Sequence, residues 1–355
     1  MAGPGGLDEI EIMKLKKDIK RHEDNLTFLK SEENRVDESI LQLQVISAKY
    51  HLNSTSQGTS KNGGSHNEEE TMEQILKQET TAAAMLCQLK THHSVLLSNL
   101  PVTKDVLGVV ATLAGVENDN LNRLLSEFLG LETMLALVCK TFEGVKALEK
   151  YDWEGKIINS AGLHGLGCSM GRKINGRFLV ICLEDLRPYS GGFVDDDIQK
   201  RLDLSKPRLA DGSYPSGFVD FAVNMINLDY RNLFCVTAKG NGLRETLFYA
   251  LFSHLQVYRT REEMLRALPC ITDGAVSLDG GMINRHGAFA LGNRTDVEVK
   301  FPVISSRNLP AADEVNVEYA IKVLKLEQLN ISEDMRREQS LLEKTKAELI
   351  AKYNT

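Results

Sequence analysis

The chain has no C-x-x-C pair and no Cys/His cluster at ligand spacing, which excludes the usual zinc and thioredoxin-type sites. Its six cysteines (Cys87, Cys139, Cys168, Cys182, Cys235, Cys270) are scattered, several in apolar runs such as LALVC and FLVIC. Reduced, buried thiols are the ordinary reading of such positions. No G-x-x-x-x-G-K-[ST] occurs, so no P-loop ATPase is encoded. No apolar run approaches the roughly 20 residues needed to span a bilayer. The opening MAGPGGLDEIEI lacks a basic segment followed by an apolar one. A soluble protein of a reducing, intracellular compartment, without membrane contact, is expected. A net charge of −7 supplies no global field toward nucleic acid or anionic lipid. What the 355 residues do have is 42% hydrophobic content, enough for a real core in two or three domains.

From Ile12 to Leu43 a heptad runs nearly uninterrupted. Ile12, Leu15, Ile19, Leu26, Leu29, Val36, Ile40 and Leu43 fall at alternating three- and four-residue steps, with His22 and Glu33 as the polar members. Lys, Glu and Asp crowd the other faces, a coiled-coil pattern. Residues 53–70 are polar and glycine-rich and read as a flexible loop. A second seam (Met72, Ile75, Ala82, Leu86, Leu89, Leu96, Leu100) ends at Pro101. Residues 1–100 are thus expected to form a coiled-coil arm. After Pro310 the heptad returns through Val317, Ile321, Leu324, Ile331, Met335, Leu342 and Leu349, with Gln328, Glu338 and Thr345 as polar members, giving a second arm over 311–355. The helices flanking the globule, 71–99 and 317–352, are expected to pair antiparallel. The helix over 12–43 either folds back on its own chain or pairs with another.

Residues 104–303 lose the heptad. VLGVVATLAGV, LNRLLSEFLG, FEGVKALEKY, GLRETLFYALFSHLQVY and REEMLRAL read as helices. MLALVC, FLVICLED, LFCVTAK and TDVEVKF read as strands. The fold class is α+β: a globular domain inserted between coiled-coil helices.

Candidate chemistry is sparse. Gly167-Cys168-Ser169-Met170-Gly171 matches G-x-S-x-G, with Asp185 and His254 in hydrolase order, but no buried strand precedes the serine. Gly165, Gly167 and Gly171 with Glu184 and Asp185 mimic a dinucleotide fingerprint, yet six residues cannot hold the helix a Rossmann unit needs. His92-His93 has no ligand partner at metal spacing. No catalytic, cofactor or metal site is assigned. Lysines at 14, 16, 17 and 20 with Arg21, and Arg336-Arg337, are interleaved with acids and read as solvated coiled-coil flanks. Weak, salt-sensitive DNA contact by such lysines is the alternative function.

The most informative stretch is SLDGGMINRHGAFALGN, Ser277 to Asn293. It reads as three short strands joined by a Gly280-Gly281 turn and a polar turn at Asn284–Gly287. Paired glycines in a strand context also permit close backbone approach, which marks a contact surface. The predicted pairing surface comprises Gly280, Gly281, Gly292 and Asn293, with the Gly240-Asn241-Gly242 turn opposite.

Leu278-Asp279-Gly280, Ile283 and Gly287, set between two heptad arms, resemble the closing segment of the hinge domain of structural maintenance of chromosomes (SMC) proteins. Val106–Val110 is similar to the opening segment of such hinges. Longer segments are similar to the plant hinge-only "defective in meristem silencing" branch of that family: RHEDNL (Arg21–Leu26), GFVDFAVNMI (Gly217–Ile226), GLRETLFYALFSHLQVYRTR (Gly242–Arg261) and DGAVSLDGG (Asp273–Gly281). The resemblance implies a non-catalytic nuclear protein of RNA-directed DNA methylation and gene silencing that homodimerises through its hinge. It also implies association with a SNF2-type chromatin remodeller, a small methylated-DNA-binding protein and RNA polymerase V machinery. SMC hinges typically end this segment in Gly-Gly, whereas this chain has Gly292-Asn293, a departure at the family's usual strand contact.

Overall fold

A computed structural model of the chain describes residues 5–56, 62–92, 102–234, 236–294, 296–304 and 312–353. The chain divides into two compact units, Met1–Gln57 with Asp313–Thr355, and Gly58–Ala312.

The first unit is two long helices, an N-terminal arm helix over Gly5–Ser56 and a C-terminal arm helix over Ala312–Tyr353. Ser47 donates to Glu318 at 2.8 Å, Gln328 to Asp37 at 2.5 Å, and Lys346 pairs with Glu23 at 2.8 Å. Lys352 pairs with Glu11. Partner numbers rise on one helix as they fall on the other, so the pair is antiparallel. Ile12, Leu15, Ile19, Leu26 and Leu29 face Ile321, Leu324, Ile331 and Leu342 along a buried or half-buried seam, while nearly all the charged residues between them are exposed. Two polar seam positions answer one another: His22 Nδ1 lies 2.6 Å from Glu338 Oε2. A polar pair in an apolar seam fixes register, because sliding by one heptad would bury both groups unpaired. Replacing Leu324 and Ile331 together by Asn should cost about 1–2 kcal/mol per site. The measurable result is a lower helical signal in circular dichroism with an unchanged melting transition for the globular unit.

The chain's own N-terminal helix is therefore the partner of 317–352, and the expected pairing with 71–99 is corrected. Described residues of that second seam lie in the globular unit, in α1 (Asn62–Leu76) and α2 (Ala82–His92). Ile75, Leu86 and Leu89 are buried there, Thr71 donates to the Lys300 carbonyl at 3.0 Å, and Gln78 donates to Glu298 at 2.6 Å. The helix breaks at Lys77–Thr81, where the Thr81 hydroxyl caps the Ala84 N–H at 3.2 Å. Over so few turns a 3.5 period and a 3.6 period look alike, and an amphipathic helix of a globule mimics a heptad. Leu96 and Leu100 lie outside the described residues, as do 57–61 of the expected loop; 53–56 and 62–70 are helical.

The remainder of the globular unit is built from two similar halves. The first has β1 (Val106–Val109), β2 (Gly115–Val116), α3 (Asp119–Met134), β3 (Leu137–Cys139), α4 (Phe142–Leu148), α5 (Gly162–Ser169) and β4 (Val180–Cys182). The second has β5 (Phe218–Phe221), β6 (Ile226–Asn227), a π-helical turn Arg244–Phe248, β7 (Gln256–Tyr258), α6 (Arg261–Arg266), β8 (Ala275–Ser277), β9 (Met282–Ile283) and β10 (Phe289–Ala290). One sheet has the order β1-β3-β4, antiparallel then parallel. The other contains β5-β7-β8 with the same senses, extended by β9 and β10. In each half the middle strand is followed by a basic residue and a threonine cap, Lys140-Thr141 or Arg259-Thr260. The threonine hydroxyl accepts from Gly144 N–H or Glu263 N–H to start the next helix. β2 and β6 pair antiparallel and join the halves.

The α+β globule flanked by long helices matches expectation, although several elements differ. VLGVVATLAGV is two short strands around a 3₁₀ turn, because its valines pair with β3 and β6. LFCVTAK contributes no strand among its described residues; Tyr230–Leu233 is a helical turn and Cys235 lies outside them. TDVEVKF buries Val299 and Phe301 as its alternation predicts but makes no ladder, and the neighbouring Val303 makes a single bridge to Val116. The helix expected over 242–258 stops at Ser253, whose positive φ of 49° turns the chain into β7.

Candidate pairing edges of the globular unit

The stretch from Ser277 to Asn293 folds as three strands at one side of the five-stranded sheet. Its first turn is tightly bonded. Ser277 N–H donates to the Gly281 carbonyl at 2.9 Å, Gly280 N–H to the Ser277 carbonyl at 2.8 Å, and Gly281 N–H to the Ser277 hydroxyl at 2.8 Å. That hydroxyl donates to Asp279 at 2.6 Å, and Asp279 also accepts from Arg261 N–H at 2.9 Å. Asn120 reaches across from α3 to the Leu278 carbonyl at 2.5 Å and accepts from Arg294 at 3.0 Å.

Partial burial pushes the Asp279 carboxyl up, but hydrogen bonds from Arg261 N–H and Ser277, with the Arg261 charge, outweigh it and hold it below the usual range. A depressed carboxylate contributes stability that is present above its unfolded value of about 4 and lost as pH falls through the folded one. Asp279→Asn should therefore lower Tm at pH 6, and the gap to the parent protein should narrow as pH approaches 3.

The glycines singled out in the sequence have separate jobs. At Gly281 a Cβ would sit 2.6 Å from the Ser277 hydroxyl and 2.9 Å from Met264, so its close approach is internal. Gly280, with φ +99°, turns β8 toward β9 beside the Arg294 side chain. Gly242 lies against the Leu233 carbonyl, where a Cβ would come within 2.0 Å, and Gly240 turns the chain at φ +81°. These two belong to a turn bonded through Thr237 and Asn241, built independently of the one at 280–281. Gly292 and Asn293 are exposed, and a Cβ on Gly292 would meet nothing within 4 Å.

Exposed apolar side chains mark the open edge instead. Among the described residues β10 is bonded on one side only, to β9, and Phe289 is 48% exposed with Leu291 at 87%. In the other sheet β4 is the outer strand beyond β3, and Leu179 before it is 41% exposed. An unpaired strand with apolar side chains is a template for another strand. The sequence carries this signal in the short apolar runs of GAFALGN and FLVIC.

The hydrolase constellation does not assemble. Ser169 closes α5 with its hydroxyl on the Leu166 carbonyl at 2.7 Å. His254 contacts Asp273 at 3.2 Å, and Asp273 also accepts from Ser253 at 2.9 Å. Histidine thus does not stand between carboxylate and hydroxyl as acyl transfer requires. Among the described residues no group of three or more His, Cys, Asp or Glu could hold a metal ion, and no helix is long and apolar enough to cross a membrane.

No protein-family model matches the chain. Among solved structures, an asymmetric dimer of the Geobacillus stearothermophilus SMC hinge domain overlays with a TM-score of 0.37 at 12% identity, covering 95% of this chain and 99% of that one. The Pyrococcus furiosus Smc hinge domain with an extended coiled coil gives 0.31 at 13%, covering 96% and 98%. Overlaps this loose carry no argument. The sequence relationship is far firmer: 42% identity over 229 residues with the Arabidopsis thaliana protein "Structural maintenance of chromosomes flexible hinge domain-containing protein GMI1". The match takes in 64% of this chain and 14% of that protein. Through most of its length, then, the chain is a sequence relative of an SMC flexible hinge domain-containing protein.

Proposed function

We propose that the globular unit is a homodimerising hinge and that the protein is a non-catalytic scaffold. The observation that carries this is the pair of open edges, β4 in one half and β10 in the other, each with exposed apolar side chains. If β10 of one copy adds to β4 of a second, two-fold symmetry repeats the contact and closes the assembly, leaving neither edge free. The long identity to a hinge-domain-containing protein supports the same reading.

The longer resemblances, such as GLRETLFYALFSHLQVYRTR, support a finer assignment. In it the dimer works in the nucleus, in RNA-directed DNA methylation, joining a SNF2-type chromatin remodeller and a small methylated-DNA-binding protein in support of RNA polymerase V transcription and silencing. Affinity purification from plant nuclei followed by mass spectrometry tests it: recovery of those partners is the expected result, and their absence overturns the assignment. For the dimer itself, light scattering at micromolar concentration should return twice the chain mass of 39.5 kDa. Silencing should survive Ser169→Ala, whose hydroxyl only closes a helix.

A further inference from the structure

The glycine-rich motif around residue 167 acquires a different meaning in the fold. A Cβ at Gly165 would lie 2.5 Å from the Ser160 carbonyl oxygen. At Gly167 it would lie 2.8 Å from the Met85 sulfur and 2.9 Å from the Arg172 carbonyl oxygen. These glycines let α5 sit against the chain on both its sides. The segment after α5 is pinned in turn by Asn175 N–H on the Thr80 carbonyl at 3.0 Å. Between these pieces lies a cavity of about 480 Å³ lined by Asn159, His164, Cys168, Lys173, Ile174 and Asn175. That volume suits a small molecule.

Its chemistry is one-sided. His164 and Cys168 stand four residues apart on α5 and so share a face. Among the described residues the exposed Lys173 ammonium makes no ion pair and no carboxylate lines the wall. The His164 side chain is 9% exposed, and its Nε2 lies 2.9 Å from Glu149, which also accepts from the Tyr151 hydroxyl. Burial pushes the Glu149 carboxyl up, but the hydrogen bonds from Tyr151 and His164 outweigh it and keep the group ionised. A carboxylate at Nε2 fixes that nitrogen as the donor and holds the ring in place.

We infer that this cavity binds a small phosphate-bearing anion. The Lys173 ammonium meets the charge, and the Asn159 and Asn175 amides orient it. An anion supplies the Lys173 ammonium with the counter-charge that no lining residue provides. The inference does not depend on hinge pairing.

Cys168 provides a built-in reporter, since an occupant of the cavity would cover it. The full-length protein would be labelled with uncharged N-ethylmaleimide and read peptide by peptide in a mass spectrometer, in inorganic pyrophosphate or in sodium chloride of equal ionic strength. Pyrophosphate at millimolar concentration should slow Cys168 at least five-fold while leaving Cys182 and Cys270 unchanged. Lys173→Ala, an exposed substitution that leaves the fold intact, should remove that protection. Equal rates in the two salts, or full protection in Lys173→Ala, would overturn the inference.

Discussion

Aspartate at both Phe289 and Leu291 is expected to turn a dimer into a monomer. The two side chains are 48% and 87% exposed on an unpaired edge, so a partner strand would cover them. Removing such anchors from the centre of an interface typically costs 2 kcal/mol or more each, and an unpaired carboxylate facing the partner adds desolvation. In a two-fold dimer each loss is counted twice. At about 1.4 kcal/mol per tenfold, the Phe289→Asp, Leu291→Asp double variant should associate at least 1,000-fold more weakly. Light scattering should then report one chain mass at micromolar concentration. The isolated fold should not suffer, because neither side chain contributes to the core, and its thermal transition should stay within about 2 °C. A variant that remains dimeric would place the contact elsewhere on the globule.

Arg244→Met should have the opposite profile, a large loss of stability with no direct effect on pairing. Arg244 is fully buried in the π-helical turn, and no carboxylate forms an ion pair with it among the described residues. It donates to the Gln199 carbonyl at 2.9 Å and the Ile226 carbonyl at 3.0 Å. It also donates to the Gln199 side-chain oxygen at 3.0 Å and to the Val223 carbonyl. Burial pulls the guanidinium down to about 10, still far above neutrality, so it remains a cation held by carbonyl dipoles. Methionine fills similar volume but leaves several buried acceptors unpaired, at about 1–3 kcal/mol each. The sum rivals the whole stability of an ordinary domain. Denaturant unfolding of the globular transition should move by at least 4 kcal/mol, or the unit should fail to fold. Arg244→Lys should rescue only in part, because an ammonium cannot reach the same acceptors in a planar fork.

The arm seams were readable because a 3.5-residue period held over more than four heptads has few alternatives, and Ile12 through Leu43 supplied it. The seam at 72–89 was too short to separate from an amphipathic surface, so α1 and α2 looked like an arm until their contacts with Lys300 and Glu298 were seen. Val106 to Val116 misled in the other direction. Its short strands are defined by partners on β3 and β6, more than 20 residues away, and no local period announces them. The duplication of the globule was present as Val-Cys-Lys-Thr against Val-Tyr-Arg-Thr, each followed within eight residues by Ala-Leu. It became visible only when both sheets showed the same strand senses. Glycine marks 280–281, where it shapes a turn, while Phe289 and Leu291, apolar in the sequence, are distinguished from core residues by their exposure.

The antiparallel arm has a mechanical consequence. Lys352 meets Glu11 and Lys16 lies over the Tyr353 ring, so both ends of the helix pair emerge at the same tip. Tension applied there loads the seam one layer at a time from the tip inward and peels the helices apart. A parallel pair held at opposite ends would be sheared with all its layers loaded at once. The arm should therefore yield at low force in discrete heptad-sized steps. The His22–Glu338 pair should hold the register until tension reaches it, and only once it has opened can the helices re-zip in a shifted one.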